Sequence, residues 1–141
     1  MQTRLILCGL LVTAAGCGGS NTAPVSGRVR LDGQPLAGAT VIFQPLSGER
    51  NPGPGSAGKT DESGGYTLQL MTGNTPGAIL GKHKVSITAY EGGDAIPSSG
   101  SGAAFRKARV PHEYNVQTKL TFEVLAGGTA NADFDLESAP K

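Results

Sequence analysis

Lys82-His83-Lys84-Val85-Ser86-Ile87-Thr88-Ala89 alternates along its whole length. His83, Val85, Ile87 and Ala89 fall on one side, and Lys82, Lys84, Ser86 and Thr88 on the other. A period of two marks a strand with one buried face and one wet face. The same pattern recurs outward from this stretch. Residues 118–125 place Leu120, Phe122 and Val124 inward against Lys119, Thr121 and Glu123. Residues 129–137 place Ala130, Ala132, Phe134 and Leu136 inward, and Asn131, Asp133, Asp135 and Glu137 outward. On the other side, residues 24–31 set Val25, Val29 and Leu31 against Ser26, Arg28 and Arg30. Residues 39–45 put Val41 and Phe43 on one face, residues 57–60 form a short strand, and Tyr66, Leu68 and Leu70 alternate with Thr67 and Gln69.

Turn chemistry separates these runs. Asp32-Gly33 is a two-residue hairpin signal, and residues 35–38 continue the turn. Residues 61–65 and 126–128 are further turns. Residues 46–56, 71–81 and 91–109 read as loops rich in Gly, Pro and Ser, the last of them long and mobile. No segment keeps a helical period. The pattern predicts an all-β fold, a seven-stranded antiparallel β-sandwich.

Composition bounds the function. The chain has 141 residues, 12 basic and 11 acidic, for a formal net charge of +1. That balance excludes nucleic acid, which requires a clustered basic surface. With no Trp and only three Tyr, the chain is poor in stacking platforms for sugars or bases.

The first residues read as an address. Met1-Gln2-Thr3-Arg4 precedes an apolar run from Leu5 to Ala15. A membrane-spanning helix takes about 20 residues, so this run suits the apolar region of a secretory signal. Thr13-Ala14-Ala15-Gly16-Cys17 resembles the bacterial lipobox, with Ala14 where Leu is usual. The resemblance implies cleavage after residue 16 and lipidation of Cys17. Export would remove Cys8 and Arg4, leaving no disulfide and a balanced charge. Residues 17–23 would tether the domain close to the membrane, residues 24–137 would form the sandwich, and residues 138–141 a tail.

Three separated motifs then resemble the carboxypeptidase regulatory-like domain. The first is Val25-Ser26-Gly27-Arg28-Val29 followed by Leu31-Asp32-Gly33-Gln34-Pro35-Leu36-Ala37-Gly38-Ala39-Thr40-Val41. The others are Thr60-Asp61-Glu62-Ser63-Gly64-Gly65-Tyr66 and Gly81-Lys82-His83-Lys84-Val85. Val110-Pro111-His112-Glu113-Tyr114-Asn115 and Asp133-Phe134-Asp135-Leu136 are similar to the small lipoprotein type of this domain found in planctomycetes. The resemblance covers about residues 24–137 and implies a transthyretin-like fold with no peptidase activity.

Candidate sites are few. His83 sits at an inward strand position and reads as a packing residue. Phe105, Arg106, Lys107 and Arg109 form a small basic, aromatic stretch in the long loop, and His112 and Tyr114 follow with Glu113 between them. These residues mark a surface for an envelope protein or polysaccharide. Asp61 reads as a turn-forming residue. Asp133, Asp135 and Glu137 read as a solvated strand face, which also discourages edge pairing. The chain is expected to be a non-enzymatic, lipid-anchored envelope module that needs no cofactor, its partners membrane lipid and one envelope component. A carbohydrate- or calcium-binding domain is the alternative, and a hydrolase using His112 and Glu113 the third reading.

Overall fold

In the computed structural model the alternating 81–88 stretch is a strand, and the other elements arrange around it. The structure describes residues 21–46, 53–92 and 107–138. The leader with Cys17, and Phe105 and Arg106, lie outside the described residues. The strands are β1 (Thr22–Ala23), β2 (Ser26–Leu31), β3 (Gln34–Pro35), β4 (Thr40–Pro45), β5 (Ser56–Lys59), β6 (Gly65–Thr67), β7 (Gln69–Leu70), β8 (Ala78–Ile79), β9 (Gly81–Thr88), β10 (Thr121–Val124) and β11 (Phe134–Leu136). One 3-10 turn, His112–Tyr114, accompanies them. The chain is thus all-β with several antiparallel sheets.

The largest sheet has the order β10-β9-β4-β5-β7, antiparallel throughout. In a second sheet β2 is central, with β11 on one side and β3 and β6 pairing with successive stretches of it. β1 and β8 form a two-stranded ribbon. His83, Val85 and Ile87 of β9 and Val41 and Phe43 of β4 are all buried, as their alternation predicts. Val41, Phe43, Val85 and Ile87 join Val29, Leu68, Ala132, Phe134 and Leu136 in one core, with His83 packed against Phe43. Phe43 lies 5.6 Å from Phe122 of β10 and 6.2 Å from Phe134 of β11, ring centre to ring centre, so aromatic contacts link the two larger sheets. Such tilted and edge-on contacts add to the area each ring buries.

Three expectations are corrected. The described residues form eleven strands where the alternation counts seven, because two-residue pairs form around the turns. Asp32 (φ 52°) and Gly33 (φ 79°) adopt the left-handed pair that a two-residue hairpin requires, and Gln34–Pro35 then pairs back onto β2. Thr22–Ala23, read as tether, are paired with Ala78–Ile79, and Ala23 is buried. Finally, β11 runs parallel to β2 and begins only at Phe134, leaving Ala130 exposed. Upstream of β11 the Arg28 N–H donates to the Asp133 carboxylate at 2.8 Å rather than to a backbone carbonyl. A side chain there takes the place of a ladder bond, so regular pairing stops.

β9 gives the molecule two ends. At its Gly81 end the Leu80 N–H donates to the Asn21 carbonyl (3.0 Å) and the Leu46 N–H to Lys82 (2.8 Å), and Val124 pairs with Gly81. At its Thr88 end Thr40 pairs with Thr88, and the chain continues to Tyr90. At about 3.3 Å per residue the strand holds these ends roughly 25 Å apart.

Candidate functional site

The segment after residue 107 is fastened at the Thr88 end. Tyr90 and Ala108 form an antiparallel bridge, flanked by hydrogen bonds from the Glu91 N–H to the Lys107 carbonyl (3.0 Å) and from the Arg109 N–H to the Ala89 carbonyl (2.8 Å). The Lys107 ammonium lies 3.4 Å from Glu91, and Arg109 Nη1 donates to the Ala37 carbonyl at 3.2 Å. Both described cations of the basic stretch therefore close the base of the loop. Val110 then plugs into the core. Pro111, with φ −57° and ψ 151°, starts the 3-10 turn. Tyr114 packs against the core, and its hydroxyl accepts from the Glu137 N–H at 3.2 Å. The chain returns through Thr118, whose buried hydroxyl donates to the Val85 carbonyl at 2.6 Å.

These fastenings leave a groove of about 530 Å³ lined by Ser86, Thr88, Tyr90, Ala108, His112, Asn115 and Val116. Ser86 and Thr88 are the outward residues of the Thr88 end of β9. Val116 is 77% exposed and Tyr90 39% exposed, so two apolar surfaces border a polar floor. The Val116 N–H donates to the Asn115 side-chain oxygen within this wall. Of His112, Glu113 and Tyr114, only His112 lines the groove, because Tyr114 is drawn toward Glu137. The three side chains do not converge on it. Sequence reasoning took the loop from Glu91 to Asn115 as the working surface, which takes in Ala108, His112 and Asn115 but misses Tyr90 and Val116 on either side of it. The signal for Tyr90 was available: it extends the β9 alternation to an outward aromatic.

A second, polar cleft of about 580 Å³ lies over the paired strands β2 and β6 beside residues 130–133 and includes Arg28, Arg30, Asp61, Ser63, Tyr66, Thr67, Asn131 and Asp133. Asp61, Ser63, Tyr66 and Asp133 are engaged by the fold. Asp61 Oδ1 accepts from Ser63 N–H (2.9 Å), Ser63 Oγ (2.7 Å) and Gly65 N–H (3.0 Å), as a turn-forming aspartate should. Those bonds, led by the Ser63 hydroxyl, hold the Asp61 carboxyl below the ordinary range. The Tyr66 hydroxyl donates to the Ala132 carbonyl at 2.6 Å, and burial, with Asp133 nearby, pushes its pKa up.

Asp133, Asp135 and Glu137 are exposed on one side, as the alternation predicts. Among the described residues no group of three or more His, Cys, Asp or Glu is placed to hold a metal ion. His83 is buried, with Nδ1–H donating to the Gly81 carbonyl at 3.0 Å and the ring 5.7 Å from Phe43. Burial lowers its pKa, so the neutral ring packs in the core. No helix among the described residues is long and apolar enough to cross a membrane. Comparison with protein-family models, with curated proteins and with solved structures finds no match to this chain.

Proposed function

We propose that this chain is a lipid-anchored envelope module, without catalytic activity, that holds the Tyr90–Val116 groove out to a protein partner. In this reading the seven longer alternating segments form a transthyretin-like sandwich of the carboxypeptidase regulatory-like type. Cys17 carries the lipid, and the domain stands on the membrane as a short post.

One observation supports this most strongly. The groove lies at the opposite end of β9 from Asn21, where the chain leads back toward Cys17. An anchored domain with that geometry turns its exposed Val116 and Tyr90 away from the lipid. Apolar rims over a polar floor suit a protein surface, because aromatic and aliphatic anchors dominate such contacts. A polysaccharide is a weaker fit, since one aromatic ring gives little stacking surface.

The test is photocrosslinking in the native envelope from a probe at Val116, with Cys17→Ser as control. The expected result is one protein adduct, lost in the Tyr90→Ala chain and lost when Cys17→Ser releases the protein from the membrane. Adducts to glycan alone would replace the protein reading with the carbohydrate-binding one. No adduct from a chain shown to be anchored would end the presenting-module reading.

A further inference from the structure

Among the described residues the exposed large hydrophobic side chains, five in all, fall in two groups along β9. Tyr90 and Val116 belong to the groove. Of the other three, Leu46 (49% exposed) and Leu125 (65%) belong to the Gly81 end, and Met71 (60%) lies across the sheet in the row of Gln44 and Lys84. The Leu46 N–H bonds to Lys82, Leu125 follows Val124 opposite Gly81, and the Met71 N–H bonds to Gly55. On the outer pleat the registers place Leu46, Lys82 and Glu123 in one row across β4, β9 and β10, with Lys84 in the next row. Lys82 and Lys84 are exposed.

This is also the end where the described chain begins. Asn21 is hydrogen-bonded to Leu80, and Cys17 is four residues before it. Four residues span at most about 14 Å. A lipid on Cys17 would therefore hold this end within one short tether of the headgroups.

We infer that the Gly81 end is a membrane-contact face: Leu46, Leu125 and Met71 enter the headgroup region while Lys82 and Lys84 meet lipid phosphates. The inference rests on Cys17 being lipidated. Three aliphatic side chains and two lysines are too few to bind a bilayer unaided. Tethering changes that, because the contact becomes intramolecular and the effective concentration of lipid is high. The acyl chains hold the protein at the membrane, and this face fixes which way it points.

The test uses the lipidated chain, made with its own leader and reconstituted into vesicles of phosphatidylethanolamine and phosphatidylglycerol. Leu46→Cys, Leu125→Cys and Val116→Cys each carry an environment-sensitive fluorophore. Lipidation blocks Cys17 and export removes Cys8, so each label is unique. The expected result is blue-shifted emission at 46 and 125, quenched by headgroup spin-labelled lipid, with neither effect at 116. Water-like emission at all three sites in a chain that floats with the vesicles would overturn the face and leave the anchor standing. A chain that does not float, and whose mass lacks the acyl groups, would overturn both. A blue shift at 46 and 125 in a chain lacking residues 1–17, in buffer without lipid or detergent and growing with protein concentration, would assign the face to a second copy of the chain instead.

Discussion

The two ends of β9 are built differently. At the Gly81 end, backbone meets backbone at close range. A Cβ on Gly77 would stand 2.1 Å from the Ala23 carbonyl oxygen, and one on Gly128 would stand 2.1 Å from that of Pro24. Both glycines have positive φ, so the β1–β8 ribbon and the 125–129 crossing depend on residues without side chains. At the Thr88 end, side chains do much of the joining. Buried Thr60 accepts from the Ala39 N–H (2.8 Å) and donates to the Leu36 carbonyl (2.6 Å). Asp32 Oδ1 accepts from the Ser138 N–H at 2.9 Å, and Tyr114 and Arg109 tie the rim down. At the Gly81 end Gly77 and Gly128 leave no room for a side chain, whereas the side-chain fastenings of the Thr88 end can be lost one at a time.

The largest expected effect erases this distinction. Phe43 sits midway along β4 and touches Phe122, Phe134 and His83. Phe43→Ala should destabilise the domain by about 3–5 kcal/mol. Chemical denaturation followed by probes at both ends should give coincident curves, and separate midpoints would show that the ends are not one cooperative unit.

The next effect belongs to the Gly81 end alone. Gly77→Ala meets unfavourable φ and a backbone clash, each worth roughly 1–3 kcal/mol. Hydrogen exchange should quicken first in β1 and β8, while the Ala89 carbonyl's partner, the Arg109 N–H, keeps its protection. Loss of protection everywhere at once would contradict local control.

At the other end Thr60→Val removes a donor and an acceptor from buried partners and should cost about 1–3 kcal/mol. Thermal unfolding reads the cost, and a Tm equal to that of the parent chain would mean water replaces both bonds.

The pH dependence sharpens the comparison further. His83 is neutral when folded because burial lowers its pKa, whereas the unfolded ring titrates near its ordinary value of 6.5. The unfolded state therefore binds the extra proton, and stability rises with pH through that window. Its contribution is complete above 6.5 and is lost as pH falls toward the lowered folded value. In His83→Leu this slope should disappear from denaturation midpoints measured between pH 5 and 7. The smallest effect is Lys107→Ala, which breaks an exposed ion pair and should change stability by no more than about 1 kcal/mol.

Period-two alternation was legible wherever a strand ran long enough to repeat. Residues 82–89 and the Val41–Phe43 face follow directly from it, and so do the Asp32–Gly33 turn and the Asp61 turn. Two-residue strands carry no period, so β1, β3 and β8 were invisible. Their pairing is set by partners far along the chain: Thr22 meets Ile79. The parallel direction of β11 was hidden for the same reason. The groove was half legible. His112 was singled out, but Val116 follows the turn outside any alternating run, so nothing in the pattern marks it as lining the groove with Tyr90.

The bridge between Tyr90 and Ala108 has an evolutionary consequence. It clamps the chain where it leaves the core and where it returns, so residues between the clamps can change in number without disturbing what lies beneath. Doubling a flexible insertion closed at its base costs only about 0.6 kcal/mol in chain entropy. The stem is thus a socket in which lineages, or protein engineers, can exchange the intervening residues while the β-framework stays fixed.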